Sequence, residues 1–212
     1  MPYNSKFEDQ RKEVAYFMRR LYIQRLTTTS GGNVSFRVNA SIIAITPAAT
    51  DKGRLKWKEV GLMELNGENL TPQLKPSMES DMHLDIYRKS ATVNAIVHAH
   101  PIIASTFTAS GRKIETDLTA EARAILGEPA IAPYALMGSK KLAKIVSNIA
   151  RRYHVILMEN HGVLTVGSTL LQAFDRLEVL EMAAKMNILI DLIGDKKPLS
   201  DIRIKEIDKN FS

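Results

Sequence analysis

The stretch VNAIVHAHP, from Val93 to Pro101, says more about the fold than any other part of the sequence. Residues 93–98 are mostly apolar and rich in branched side chains, which is typical of a buried β-strand that ends at the break after His100. Side chains at positions i and i+2 of a strand project from the same face, so His98 and His100 are predicted to meet at one point.

Helical and strand-like segments alternate on both sides of this strand. Val34, Phe36 and Val38 alternate before a β-branched run, which predicts a hairpin with its turn near Asn39 and Ala40. The strands are expected over residues 34–38, 41–46, 61–65, 93–98, 155–158 and 163–166. The helices are expected over residues 7–26, 77–89, from 101 onward, 119–126, 139–153 and 168–193, with a stop at Gly194. This order predicts a mixed α/β fold.

Composition sets the class of protein. The chain has 212 residues, 45% of them hydrophobic, and no cysteine, so we expect one domain over residues 1–212 without disulfides or thiolate chemistry. The net charge of +6 lies in short pairs such as Lys140-Lys141 rather than in a long stripe, which argues against nucleic acid as a partner. No leader or membrane-spanning run is evident, so a cytoplasmic protein with no membrane contact is expected.

The histidines are the main candidates for a metal site. Two histidines at a strand end can also pack without metal, so a third ligand is needed from elsewhere. His161, between two strand-like runs, is the natural candidate, and three imidazoles with one open position match a catalytic zinc site. Glu79, expected in the first turn of its helix, is a candidate fourth ligand or base. His83 is expected to pack behind the site rather than to bind metal.

Two other segments favour an anion. The loop from Ser30 to Asn33 contains Gly31 and Gly32, which allow backbone amides to approach a phosphate closely, although an ordinary turn has the same composition. Ser77, at a predicted helix N-terminus, offers a second anion contact. Each segment alone is weak, but together they indicate a phosphorylated ligand.

The order of these motifs resembles the class II aldolase/adducin family, especially its branch that cleaves fuculose 1-phosphate. The resemblance implies an α/β/α sandwich around a mainly antiparallel sheet, and a homotetramer with active sites between subunits. It is carried by SGGNVS (residues 30–35), ITP (45–47), KPSMES (75–80), VNAIVHAHP (93–101), APY (132–134) and NHGVLTVG (160–167).

The resemblance also implies a function. It is the reversible cleavage of a ketose 1-phosphate into dihydroxyacetone phosphate and an aldehyde, through a zinc-stabilised enediolate. His98, His100 and His161 would hold Zn²⁺, with Mn²⁺ or Co²⁺ as alternatives, and Glu79 would be a resting ligand that becomes the general base. The implied phosphate contacts are Ser30, Gly32, Asn33 and Ser77.

The sequence departs from the family pattern at several positions. Ala48 and Ala49 stand where many relatives have a hydroxyl residue and glycine, and Met78 stands where a second serine follows Ser77. Two hydroxyl donors are thereby lost, each worth roughly 1–2 kcal/mol if bonded to a charged oxygen. Thr119 occupies the position of a tyrosine that donates a proton in the fuculose branch, so the aldehyde is not predicted.

Three other functions remain open within this resemblance. A ribulose 5-phosphate 4-epimerase would use the same metal, but that branch looks to favour Asp where this chain has Glu79. A methylthioribulose 1-phosphate dehydratase would use the same histidines to eliminate water. An adducin-like, non-catalytic interaction module would have no need of His98, His100, His161 and Glu79, all of which are present.

Overall fold

A seven-stranded sheet forms the centre of the computed structural model, which describes residues 6–211. Its spatial order is β3-β2-β1-β4-β7-β6-β5, and every neighbouring pair is antiparallel except β5 with β6. The strands are β1 (Asn33–Arg37), β2 (Ile42–Ile45), β3 (Gly61–Glu64), β4 (Ala95–Ala99), β5 (Ala130–Ala132), β6 (Val155–Met158) and β7 (Gly162–Gly167).

Helices cover both faces of the sheet, and each face has its own apolar core. Helices α1, α3, α4 and α6 pack on one face, and α2 and α5 pack on the other. Within residues 6–211, no helix combines the length and apolar character needed to cross a membrane. The helices are α1 (Glu8–Ile23), α2 (Ser80–Lys89), α3 (Ile102–Ser110), α4 (Ala120–Leu126), α5 (Lys140–Ile149), α6 (Leu170–Ile193) and α7 (Asp201–Phe211).

The predicted fold class is confirmed, because the structure is an α/β/α sandwich around a mainly antiparallel sheet. The hairpin of β1 and β2 and the long helix α6, which ends at Gly194, are also as predicted. Strand β5 and helix α7 were not predicted. Strand β5 has only three residues, and α7 is an exposed helix that a salt bridge between Asp208 and Arg123 holds against α4.

Strand β4 lies in the middle of the sheet and carries the central motif. Its Val97 faces the core under α1 and α6, whereas Ile96 faces the core under α2 and α5. The alternation of a strand places His98 on the α2 side with Ile96. Asn33 of β1 pairs with His98 across the ladder, so the glycine-rich loop before β1 reaches the end of β4.

The start of α2 was predicted wrongly. The helix begins at Ser80 rather than at Ser77, and Glu79 is its N-cap residue, not a member of its first turn. The reason is a local turn, because the hydroxyl of Ser80 donates to the carbonyl of Ser77 at 2.7 Å. This turn leaves the Glu79 side chain at the mouth of the helix, where it points toward β4 rather than along the helix surface.

Candidate metal centre and substrate pocket

Three imidazoles converge at the end of β4. His98 lies in the strand, His100 follows it directly, and His161 lies in the turn between β6 and β7. One nitrogen from each ring can be chosen so that all three lie within 4.8 Å of one another. The Nε2 atoms of His98 and His100 are 3.2 Å apart. The predicted pair of histidines and the predicted third histidine therefore do lie together.

Glu79 completes the cluster from the opposite side. Its Oε2 lies 3.0 Å from His98 Nε2, and its Oε1 lies 3.2 Å from His161 Nε2. Burial alone would raise the pKa of Glu79, but the charge of His98 and the hydrogen bonds from His98 and Asn33 outweigh burial and lower the pKa. The group is therefore a carboxylate in the folded protein.

The hydrogen bonds of His98 test whether a cation fits here. Its Nδ1 must carry a hydrogen, because it lies 2.8 Å from the carbonyl oxygen of Val163, which can only accept. Burial alone would lower the pKa of His98, but the carboxylate of Glu79, 3.0 Å from Nε2, outweighs burial and raises the pKa. Without a metal, Nε2 thus favours a proton facing Glu79, at the place that a metal ion would take. Zn–N bonds of about 2.0–2.1 Å at tetrahedral angles put two nitrogens roughly 3.3 Å apart. The observed separation fits a divalent metal.

Burial keeps the other rings ready to donate a lone pair. The pKa of His100 falls to about 3, because burial and the neighbouring His98 and His161 disfavour its charged form. Burial, followed by the charge of His98, also lowers the pKa of His161. Metal ligands must be deprotonated, so these two neutral imidazoles suit a cation without a cost for removing protons near neutral pH.

Two glycines leave the room that the rings need. Gly32 has a φ of +65°, and a Cβ there would lie 2.7 Å from the carbonyl oxygen of His98. At Gly162, next to His161, a Cβ would lie 2.4 Å from Cδ2 of the His100 ring. A residue larger than glycine at either position would therefore displace the backbone or the ring beside the centre.

We expect Gly162→Ala to weaken zinc binding by roughly 10- to 100-fold, the range seen when groups that orient a metal ligand are changed. The added methyl group would lie 2.4 Å from the His100 ring and 2.7 Å from the carbonyl oxygen of Ala99, so the ring or the backbone beside it has to shift. A competition assay against a chromogenic chelator measures the change. Gly111→Ala is the control for lost stability: its φ of +70° makes alanine strained there, but the Cβ meets nothing within 4 Å, so zinc affinity should be unchanged. A folded Gly162→Ala protein with wild-type zinc affinity would show that this contact is unimportant.

A chain of buried hydrogen bonds supports Glu79 from behind. Burial lowers the pKa of His83 to about 3, so its ring is neutral. Tyr87 Oη lies 2.8 Å from Ser35 Oγ, which lies 2.6 Å from His83 Nδ1. His83 Nε2 lies 2.5 Å from Asn33 Oδ1, and Asn33 Nδ2 donates to Glu79 Oε2 at 2.9 Å. His83 therefore fixes the orientation of the Asn33 amide, as expected for a residue behind the site.

The predicted phosphate contacts open onto the same place. A pocket of about 190 Å³ lies beside the histidines, and His98 is fully buried behind it. Ser77 lies three residues before the first residue of α2 and therefore does not cap the helix. Its hydroxyl instead accepts a hydrogen bond from Asn33 Nδ2 at 3.1 Å. The wall of the pocket includes seven of the eight predicted site residues: Ser30, Gly32, Asn33, Ser77, Glu79, His100 and His161.

Lys52 and Met137 also belong to the wall, and neither of them was singled out from the sequence. Lys52 follows the ITP motif, but the chain has 29 Lys and Arg residues, and nothing in the local sequence distinguishes Lys52 from the others.

Thr119, which replaces the family tyrosine, caps α4 by accepting a hydrogen bond from the amide of Ala122 at 3.1 Å. Its hydroxyl is therefore already used in the fold.

Comparisons with known proteins identify the family of this chain. The profile of the family described as Class II Aldolase and Adducin N-terminal domain matches residues 12–188. The chain is 37% identical over 171 residues to an L-fuculose phosphate aldolase of Methanococcus maripaludis, covering 81% of this chain and 92% of the relative. It is 32% identical over 204 residues to a 3-oxo-tetronate 4-phosphate decarboxylase of Haemophilus influenzae, covering 93% and 95%.

A solved structure supports the same assignment. An L-fuculose 1-phosphate aldolase superimposes with a TM-score of 0.88 at 28% identity, covering 96% of each chain. The profile matches most of the sequence, and the structural likeness extends over nearly the whole of both chains. The chain therefore belongs to the class II aldolase and adducin family.

Proposed function

We propose that this protein is a metal-dependent aldolase that reversibly cleaves a ketose 1-phosphate into dihydroxyacetone phosphate and an aldehyde. One observation carries the proposal: three imidazoles and the Glu79 carboxylate converge beside a pocket. The serines of the glycine-rich loop and of the turn before α2 line the same pocket. Such a pocket can bind the oxygens of a sugar at the metal cluster and the phosphate of the same sugar at a separate set of hydrogen-bond donors.

The metal proposed for this site is Zn²⁺, with Mn²⁺ or Co²⁺ as alternatives, held by His98, His100 and His161 and, at rest, by Glu79. When bound, a divalent ion supplies Lewis-acid polarisation of the substrate carbonyl, which makes the neighbouring carbon acidic. The protein positions the metal ligands: the carbonyl group of Val163 accepts a hydrogen bond from His98 Nδ1 and so fixes the orientation of that ring.

Glu79 is proposed as the general base. Its two oxygens differ, because Oε2 accepts from Asn33 at 2.9 Å whereas Oε1 has no hydrogen-bond donor within residues 6–211. Oε1 is therefore the oxygen free to take a proton from the carbon beside the carbonyl during condensation and to return it during cleavage. The bond from Asn33 holds the carboxylate in place through both steps.

The phosphate is proposed to bind at Ser30, Gly32, Asn33 and Ser77. Gly32 is the residue whose positive φ brings this loop close to β4, and backbone amides in such a loop suit an anion. The hydroxyl groups of Ser30 and Ser77 face the same pocket from two segments of the chain. The substrate phosphate would thus lie beside the metal site rather than on it.

We also infer a homotetramer with active sites between subunits. Support comes from the segment after β5, where Tyr134, Leu136 and Met137 are exposed by 58%, 66% and 59%, and Met137 belongs to the pocket wall. Exposed apolar side chains grouped in one segment are typical of a contact surface. Light scattering of the purified protein would measure the mass, and a monomer at working concentrations would contradict this part.

Product analysis tests the proposed reaction. Purified protein with zinc is incubated with a panel of ketose 1-phosphates, ribulose 5-phosphate, methylthioribulose 1-phosphate and a 3-oxo acid phosphate, and the products are followed by NMR. An aldolase forms dihydroxyacetone phosphate and an aldehyde from a ketose 1-phosphate. An epimerised pentose, loss of water or release of carbon dioxide would each replace the proposal by the corresponding reaction. No turnover and no bound metal would favour a non-catalytic role.

A further inference from the structure

Lys52 is a cation in the wall of the substrate pocket. It opens the single-turn 3₁₀ helix Lys52–Arg54, which is capped by the side chain of Asp51, and only 1% of Lys52 is exposed. Among the described residues that line the pocket, Lys52 is the single lysine or arginine. A nearly inaccessible lysine is rare, because removing an ammonium group from water is costly unless it is paired.

The protein itself does not pair this charge. Lys52 Nζ donates to the carbonyl of Pro47 at 2.5 Å, but within residues 6–211 no carboxylate oxygen lies within 4.0 Å of it. Burial lowers the pKa of Lys52 to about 8, which shows that the surroundings disfavour the charged form. A dipolar carbonyl compensates for only part of a full charge, so an anion in the pocket would stabilise the ammonium group.

The rest of the wall offers an anion neutral hydrogen-bond donors but no second positive side chain. The adjoining residues Ala48 and Ala49 have no side-chain donor, and the serine hydroxyls on the other side of the pocket are neutral. The one other fixed charge in the wall is the carboxylate of Glu79, which repels a phosphate. Among the side chains of the wall, Lys52 alone therefore attracts a phosphate dianion through a positive charge, beside the metal ion proposed for the histidines.

We propose that Lys52 is a specificity residue, whose ammonium group binds the phosphate of the substrate and selects phosphorylated over unphosphorylated sugars. This inference rests on the proposed function, because it identifies the group that recognises the phosphate of that substrate. The lysine compensates for the hydroxyl donors that are missing at residues 48 and 78. Its contact with the Pro47 carbonyl holds the ammonium group at the pocket wall until an anion binds.

The test uses inorganic phosphate as the probe, at constant ionic strength, with the full-length protein. Lys52→Met removes the charge and keeps most of the side-chain volume. Arg54→Met is the matched control, because it removes the same charge from the same short helix, where the side chain is 90% exposed. Phosphate affinity is measured by calorimetry, and the rise in Tm caused by phosphate is measured beside it.

We expect Lys52→Met to weaken phosphate binding by roughly 10- to 100-fold, as for the loss of one hydrogen bond to a charged group. The rise in Tm should disappear in this variant and persist in Arg54→Met. Lys52→Arg keeps the charge and should retain part of the affinity, which separates charge from a packing role. Zinc content should be unchanged in all three variants.

Equal phosphate affinity in wild type and Lys52→Met would overturn the proposal, and so would a wild-type protein that does not bind phosphate. These outcomes are independent of turnover. A protein that binds phosphate through Lys52 but cleaves no ketose phosphate would contradict the proposed function and leave the phosphate site in place. A protein that cleaves ketose phosphates equally well with and without Lys52 would retain the function and lose this inference.

Discussion

His98→Ala is expected to abolish both metal binding and turnover. The substitution removes one of three imidazoles, and that ring is the one fixed by the Val163 carbonyl and adjacent to Glu79. The loss of affinity should exceed the roughly 10- to 100-fold that accompanies the loss of an outer partner, because a direct ligand is gone. Zinc content by atomic emission and release of dihydroxyacetone phosphate measure the two effects.

His154→Ala is the matched control for this variant. It removes an exposed imidazole that lies outside the cluster of three, so metal content and activity should both match the wild type. Circular dichroism must show that His98→Ala is folded, since the lost ring is fully buried. A folded His98→Ala protein that is fully active without metal would disprove the assignment of the metal site.

Glu79→Gln should separate metal binding from proton transfer. Glutamine has nearly the same shape and can still accept the hydrogen bond from Asn33, and the three imidazoles remain, so most of the zinc should be retained. The lost carboxylate is the proposed base, and removing a general base lowers kcat by roughly 10²- to 10⁴-fold. Zinc content and steady-state kinetics on the same preparation give both results.

Glu159→Gln is the control for this second variant. Its carboxylate accepts from the amide of Tyr134 at 2.8 Å and is two residues from His161, so it changes a nearby charge without touching the cluster. It should keep wild-type kcat. If Glu79→Gln kept wild-type kcat as well, the base would have to be another group. If it lost all zinc, Glu79 would be chiefly a ligand.

Much of the fold follows from local patterns in the sequence. The i and i+2 spacing of His98 and His100 correctly predicted their convergence, because a strand has a fixed alternation. The start of α2 was predicted three residues early, since Ser77 resembles an N-cap and only the bond from the Ser80 hydroxyl shows that the chain first makes a turn. Strand β5 is defined by its neighbour β6 rather than by its own three residues.

The site depends more strongly on contacts between distant segments. His161 and Asn33 reach the centre through the pairing of β7 and β1 with β4, and no local pattern predicts that register. The resemblance to a known family supplied what periodicity could not. Lys52 was missed altogether, because its burial comes from the packing of the segment that follows β2 and not from its neighbours in sequence.

The central claim is that the three histidines hold a divalent metal ion on which cleavage of a ketose 1-phosphate depends. The most direct measurement follows release of dihydroxyacetone phosphate by the purified protein as isolated, after removal of metal with a chelator, and after addition of zinc. The account predicts release that stops with the chelator and returns with one equivalent of zinc per chain. Release that continues unchanged in the metal-free protein would contradict it.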